Sequence, residues 1–165
     1  MLFNIHSLKT QIKNEQEDKI SNMQNHIRTH QIRWNDAFSR LERAGNEISP
    51  SVYIGMMDLL CESINEYKTV RYIGMNDSEM PYTFNTYVLY GQYESTLINY
   101  RDLLLKGNVD ALDEFMNSDL FYDLRIINDW LNKRYINNNF EVYGDDVFKD
   151  EVYGRLKTYL IYFDF

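Results

Sequence analysis

The chain has 165 residues, of which 44% are hydrophobic and 15% aromatic, with a formal net charge of −8. That length suits one domain, residues 1–165, and that apolar content excludes a disordered chain. Two prolines and seven glycines are too few turns for a many-stranded sheet protein, so the expected fold class is all-α, a bundle of five to six helices.

The first element is a long amphipathic helix, expected from Ser7, as N-cap, to Ile48. Ile20, Ile27, Trp34, Leu41 and Ile48 recur every seven residues. Met23, His30, Ala37 and Ala44 stand three places after the first four of them. This is the a/d seam of a coiled-coil-like helix. Ile5 and Ile12 lie one position off the seam, so its first third is thinly apolar. Glu15–Lys19 and Asp36–Arg40 are spaced to form i,i+4 pairs. About 40 residues at ~1.5 Å each is ~60 Å of helix, longer than the ~40 Å breadth of a compact chain of this size. The overhang calls for a break, a bend or another chain. Two outcomes stay open for the seam: a homodimer, or an antiparallel hairpin with the next helix.

Gly45-Asn46 is the stop signal of that helix. Ser49-Pro50 starts the second, with Pro50 at the first helical position and Ile48 placed to staple onto Tyr53. Tyr53, Met56, Met57, Leu60, Cys61, Ile64 and Tyr67 give it a broad core-facing stripe, running to about Ile73. Residues 75–81 read as a loop. A third helix spans residues 82–106, apolar on two sides and therefore central, with Gly91 admitting a close neighbour and Gly107 closing it. Asn108 or Asp110 caps a short fourth helix to Met116. Ser118-Asp119 opens a fifth, which ends in the turn-forming run 135–139. The last segment opens at Asp145 or Asp146. Val147, Val152, Leu156, Tyr159 and Phe163 keep helical spacing, although residues 159–165 are also β-prone.

Charge divides the chain. Residues 1–76 hold nine Lys/Arg and nine Asp/Glu, whereas residues 77–165 hold eight and sixteen. An acidic second half argues against nucleic acid and anionic membranes and favours a basic partner. Arg28, Arg33, Arg40 and Arg43 point in several directions around the first helix and do not concentrate charge as phosphate binding demands. No uncharged apolar run approaches the ~18 residues of a membrane helix, and residues 1–10 lack the apolar region of a secretory signal. One cysteine, Cys61, makes no internal disulfide and fits a reducing, cytoplasmic setting.

No catalytic pattern is present. A glycine-rich phosphate loop, G-x-S-x-G and a dinucleotide fingerprint are all missing, so neither an enzyme nor a cofactor is implied. His26 and His30 have the i,i+4 spacing of two metal ligands, but no third ligand is implied, and His30 sits on the seam. They read as polar seam residues, able to make dimerisation pH-sensitive if exposed to titration. Cys61 lies within an apolar stripe and reads as packing. The acidic pairs Asp113-Glu114, Asp145-Asp146 and Asp150-Glu151 look solvent-facing. Eleven of the 14 tyrosines follow Asp77.

The expected function is therefore a non-enzymatic, cytoplasmic, protein-binding factor. Its leading form is a small inhibitor of the phage anti-defence or immunity kind, covering a basic surface of its partner. Asp113, Glu114, Asp145, Asp146, Asp150, Glu151, Tyr143 and Tyr153 are the candidate contacts. The alternative is a structural or assembly protein that homo-oligomerises through Ile20, Ile27, Trp34, Leu41 and Ile48.

Overall fold

No proline or glycine interrupts the chain before Gly45, and one helix, α1 (Leu2–Ala44), runs for 43 residues. At ~1.5 Å per residue it is ~64 Å long. The structure is a computed structural model, and it describes residues 2–45, 49–73, 84–136, 139–140 and 145–158. Ser7, expected as the N-cap, lies inside α1, because nothing in residues 2–6 breaks the helix. Gly45 ends it with φ of 59°, and its N–H donates to the carbonyls of Leu41 and Glu42 at 3.2 Å. That left-handed turn favours glycine.

Ser49 is extended (φ −118°, ψ 131°), and Pro50 begins α2 (Pro50–Thr69). The Ser49 hydroxyl bonds the Ser51 hydroxyl at 2.8 Å rather than a backbone N–H. The helix start thus rests on the fixed φ of proline. The Ile48–Tyr53 staple falls outside the described residues. A 3₁₀ turn, Val70–Ile73, extends α2.

α1 and α2 pack as an antiparallel hairpin. His26 meets Glu66, and His30 meets Ser63. Arg40 lies over Gly55, where a Cβ would come within 2.5 Å of its guanidinium. As one number rises the other falls. Glycine thus makes room on α2 for a long α1 side chain. Arg40 takes this position in place of the expected pair with Asp36. The expected Glu15–Lys19 pair is likewise not formed among the described residues; Lys13–Glu17 (3.6 Å) and Gln11–Glu15 (3.2 Å) take its place.

α3 (Phe84–Leu105) is the central helix. Tyr90 packs on Trp34 and Tyr67, at ring separations of 5.6 and 4.8 Å, and on Phe148 at 6.0 Å. Gly91 admits no close neighbour, contrary to expectation: nothing lies within 4 Å of the Cβ it lacks. Gly107 (φ 82°) turns the chain into α4 (Asp110–Met116), whose N-cap is Val109 rather than Asn108 or Asp110. Ser118 caps α5 (Asp119–Arg134) by accepting the Phe121 N–H at 3.1 Å. Two-residue strands follow, β1 (Tyr135–Ile136) and β2 (Asn139–Phe140), paired antiparallel with Tyr135 opposite Phe140.

α6 (Asp145–Val152) passes into a 3₁₀ turn, Tyr153–Arg155. Leu156 is then extended (φ −83°, ψ 134°). The helical spacing expected through Leu156 thus fails there, while Tyr159 and Phe163 lie outside the described residues. The cause is Asp123. Its carboxylate accepts the backbone N–H groups of Lys157 (2.8 Å) and Thr158 (2.9 Å), which a continuing helix would send to its own carbonyls. The fold is all-α with six helices and one two-residue β pair among the described residues.

Candidate interaction surfaces

The core of the protein takes up only the second half of α1. Met23, Ile27, His30, Trp34, Ala37 and Phe38 are buried, whereas each of residues 7–22 is exposed. Leu8, Ile12 and Ile20 stand 60, 49 and 41% exposed within that stretch. Their spacing places them within about one-third of the helix circumference, in line with Met23 and Ile27 below. One apolar stripe thus begins in open solvent and ends in the core.

This corrects the seam as an oligomer surface. Ile27 and Trp34 are fully buried in their own chain, with the indole Nε1 of Trp34 bonded to α5. Leu41 is half-buried against the same core. Of the five seam residues named from the sequence, Ile20 alone is exposed among those described, and Ile48 lies outside them. The hairpin consumed the rest because α2 is broad, apolar and a short turn away.

The histidines are part of that packing. His30 is fully buried. Its Nδ1 lies 3.1 Å from the Ser63 carbonyl oxygen and 2.9 Å from Ser63 Oγ, and the Ser63 hydroxyl donates to the His30 carbonyl at 2.6 Å. Burial pushes the imidazole down to about 4, against the opposing effect of the Ser63 carbonyl. Serine beside histidine suggests a nucleophile and base, but both side chains are fully buried, and a substrate has no approach. His26 bonds Glu66 at 2.7 Å. No three His, Cys, Asp or Glu side chains group for a metal ion among the described residues. Cys61 is buried, and burial pushes its thiol up to about 12, with Glu94 adding to the effect. It is chemically quiet at neutral pH.

The acidic candidates whose side chains are described do not converge. Asp113 and Glu114 are exposed on α4, before the first turn of α5. Glu151 is tied to the far end of α5, accepting Trp130 Nε1 at 2.6 Å and Arg134 Nη2 at 3.0 Å. Those donors hold its carboxyl below the usual range. Roughly 20 Å of helix separates the two places. Asp150 is exposed. The side chains of Asp145 and Asp146, and Tyr143 altogether, lie outside the described residues. Tyr153 is corrected: it is 4% exposed, its hydroxyl bonded to Thr86, because the 3₁₀ turn after α6 folds its ring against Phe148. Tyrosine is largely core here: of the tyrosine side chains described after Asp77, only Tyr122, at 42%, is exposed.

One surface the sequence did not single out is the α3–α4 corner. Leu105 and Val109 are 64 and 66% exposed, with Leu103 at 37%. Asp110, Asp113 and Glu114 follow, all exposed. No family model, no curated protein and no solved structure matches the chain. No described helix is long and apolar enough to cross a membrane.

Proposed function

We propose that this is a non-catalytic interaction protein that works through the projecting half of α1, pairing with a second copy of the chain. The observation that carries the reading is the unbroken exposure of residues 7–22 along a helix bearing Leu8, Ile12 and Ile20. An isolated helix gains little from its own hydrogen bonds, and most helical stability in proteins comes from packing. A projection rich in Asn, Ser, Thr and Gln therefore favours a packing partner.

Charge supports a second copy in antiparallel orientation. Lys9 and Lys13 are the charges of residues 7–14, whereas residues 15–22 carry Glu15, Glu17 and Asp18 against Lys19. Antiparallel pairing lays a net-basic segment on a net-acidic one, with Lys13 level with Glu15 although Lys9 falls level with Lys19, and parallel pairing lays like on like. With Asn14 at the twofold axis, Leu8 of one copy is level with Ile20 of the other. Sedimentation equilibrium tests this. The wild type is expected to be a dimer and the triple variant Leu8→Asp, Ile12→Asp, Ile20→Asp a folded monomer. A wild type that stays monomeric into the millimolar range overturns the reading.

A second reading has its own observation, the α3–α4 corner. Exposed Leu105 and Val109 beside Asp110, Asp113 and Glu114 suit a partner with basic and apolar groups. This is the inhibitor reading narrowed to one corner. A cytoplasmic setting is in keeping with the buried thiol of Cys61. Capture of one partner, lost on Asp110→Lys, Asp113→Lys, Glu114→Lys and on raising salt, supports it. Equal capture by that variant removes it.

A further inference from the structure

The projecting half of α1 and the α3–α4 corner lie at opposite ends of the bundle. α1 enters the bundle at the level of His26, which meets Glu66 near the end of α2. α3 runs antiparallel to α2, since Lys68 pairs with Glu94 and Asp58 with Arg101. α3 therefore ends beside the start of α2, where Phe115 of α4 packs on Tyr53 and Tyr100. Arg40 of α1 lies at that same end, over Gly55. In the antiparallel pair described above, the twofold axis crosses α1 at Asn14. Asn14 to Arg40 is ~39 Å of helix, so the pair sets its two corners ~80 Å apart, on opposite ends.

Backbone bonds fix the shape of each corner. The N–H groups of Gly107 and Asn108 donate to the carbonyls of Leu104 and Leu103 at 3.0 Å, and Leu104, Ala111 and Leu112 anchor it in the core. That leaves Leu105 and Val109 outside. Asp110, Asp113 and Glu114 stand at i, i+3 and i+4, so they share one face of α4. None of the three carboxylates forms an ion pair among the described residues. Exposed aliphatic groups beside unpaired carboxylates are complementary to a helix with leucine-type residues on one face and Lys or Arg flanking them. We propose that the paired chain is a bivalent spacer. Each corner docks one basic amphipathic helix of a partner, so two partner molecules are held ~80 Å apart. The inference rests on both readings above, pairing through α1 and docking at the α3–α4 corner, and joins them in one particle.

Small-angle X-ray scattering of the full chain, where sedimentation shows a dimer, is expected to give a two-lobed particle at least ~90 Å long. An amphipathic helical peptide of leucine and lysine alone is the docking probe, free in solution for affinity and on beads for bridging. The wild type is expected to bind it and to join the beads into clusters. The variant Leu8→Asp, Ile12→Asp, Ile20→Asp is expected to bind the free peptide as the wild type does and to cluster nothing. The variant Leu105→Gln, Val109→Gln, Asp113→Lys, Glu114→Lys is expected to stay dimeric, to bind at least tenfold more weakly and to cluster nothing. A monomeric wild type fails the pairing reading, and this proposal with it. A dimer that leaves the peptide unbound, or a corner variant that binds it unchanged, fails the corner reading and this proposal. A dimer that binds the peptide but clusters no beads, a compact single-lobed particle, or clustering by the monomeric variant overturns the spacer alone. Growth beyond a dimer without peptide also overturns it, since the corner then takes the projection of another copy.

Discussion

The indole Nε1 of Trp34 donates a 3.3 Å hydrogen bond to the main-chain carbonyl of Leu124, ninety residues further along the chain. A residue that repeats with Ile20 at heptad spacing is thus a core residue joining α1 to α5. Ile20, two heptads earlier, meets solvent. Trp34→Ala should therefore cost ~3–5 kcal/mol, since it empties a buried site. Ile20→Ala should change monomer stability by less than ~0.5 kcal/mol. Urea denaturation of both variants, at a concentration where the chain is monomeric, checks the contrast.

Asp123 is fully buried. Besides the two backbone groups described above, it accepts the hydroxyls of Thr158 (2.5 Å) and Tyr93 (3.0 Å). Asp123→Asn replaces one acceptor oxygen with a donor that faces donors. A loss of about 3 kcal/mol is expected, the scale of a buried group left unsatisfied. Trypsin should also cut faster after Arg155 and Lys157, which limited proteolysis reads directly.

His30 sets a pH dependence. Its folded pKa, about 4, lies below the ~6.5 of an unfolded histidine. The unfolded chain therefore takes up a proton first as pH falls. The full contribution is present above pH ~6.5 and is lost progressively down to about pH 4, on the order of 3 kcal/mol. His30→Asn should flatten stability across that window relative to the wild type in urea titrations. Self-association through α1 should not follow His30, because the imidazole stays neutral and away from the projection.

Gly91 is in the middle of α3 with open space where a Cβ would stand. Gly91→Ala should stabilise the protein by ~0.5–1 kcal/mol through helix propensity alone. Thermal unfolding checks it.

Local signals carried most of the fold. Ser49-Pro50, Gly45 and Gly107 mark their boundaries by backbone chemistry that sequence states outright. The seven-residue spacing of Ile27 and Trp34 correctly announced a packed face on α1. It could not say what packs there, because a partner helix and the chain's own α2 offer the same apolar stripe. Asp123 and Asn128 were invisible for another reason. Each is a lone polar residue within an amphipathic pattern, and its burial depends on how distant segments cross α5. Whether the acidic pairs share a surface was closed to sequence on the same ground. Adjacency in sequence fixed each pair, but the ~20 Å between Asp113 and Glu151 is set by the length of α5. The α3–α4 corner was missed because Leu105 and Val109 look like core residues until the turn at Gly107 is in place.

The clamp made by Asp123 has a consequence in time. Ribosomes extend chains at roughly 5–20 residues per second, so Thr158 follows Asp123 by seconds. Through that interval the carboxylate lacks three of its four donors. Leaving it dry would be costly, so it stays hydrated and keeps the inner face of α5 from docking. Full burial of Asp123 thus depends on residues made some thirty-five positions later, whereas the contacts of the α1–α2 hairpin are complete by Thr69.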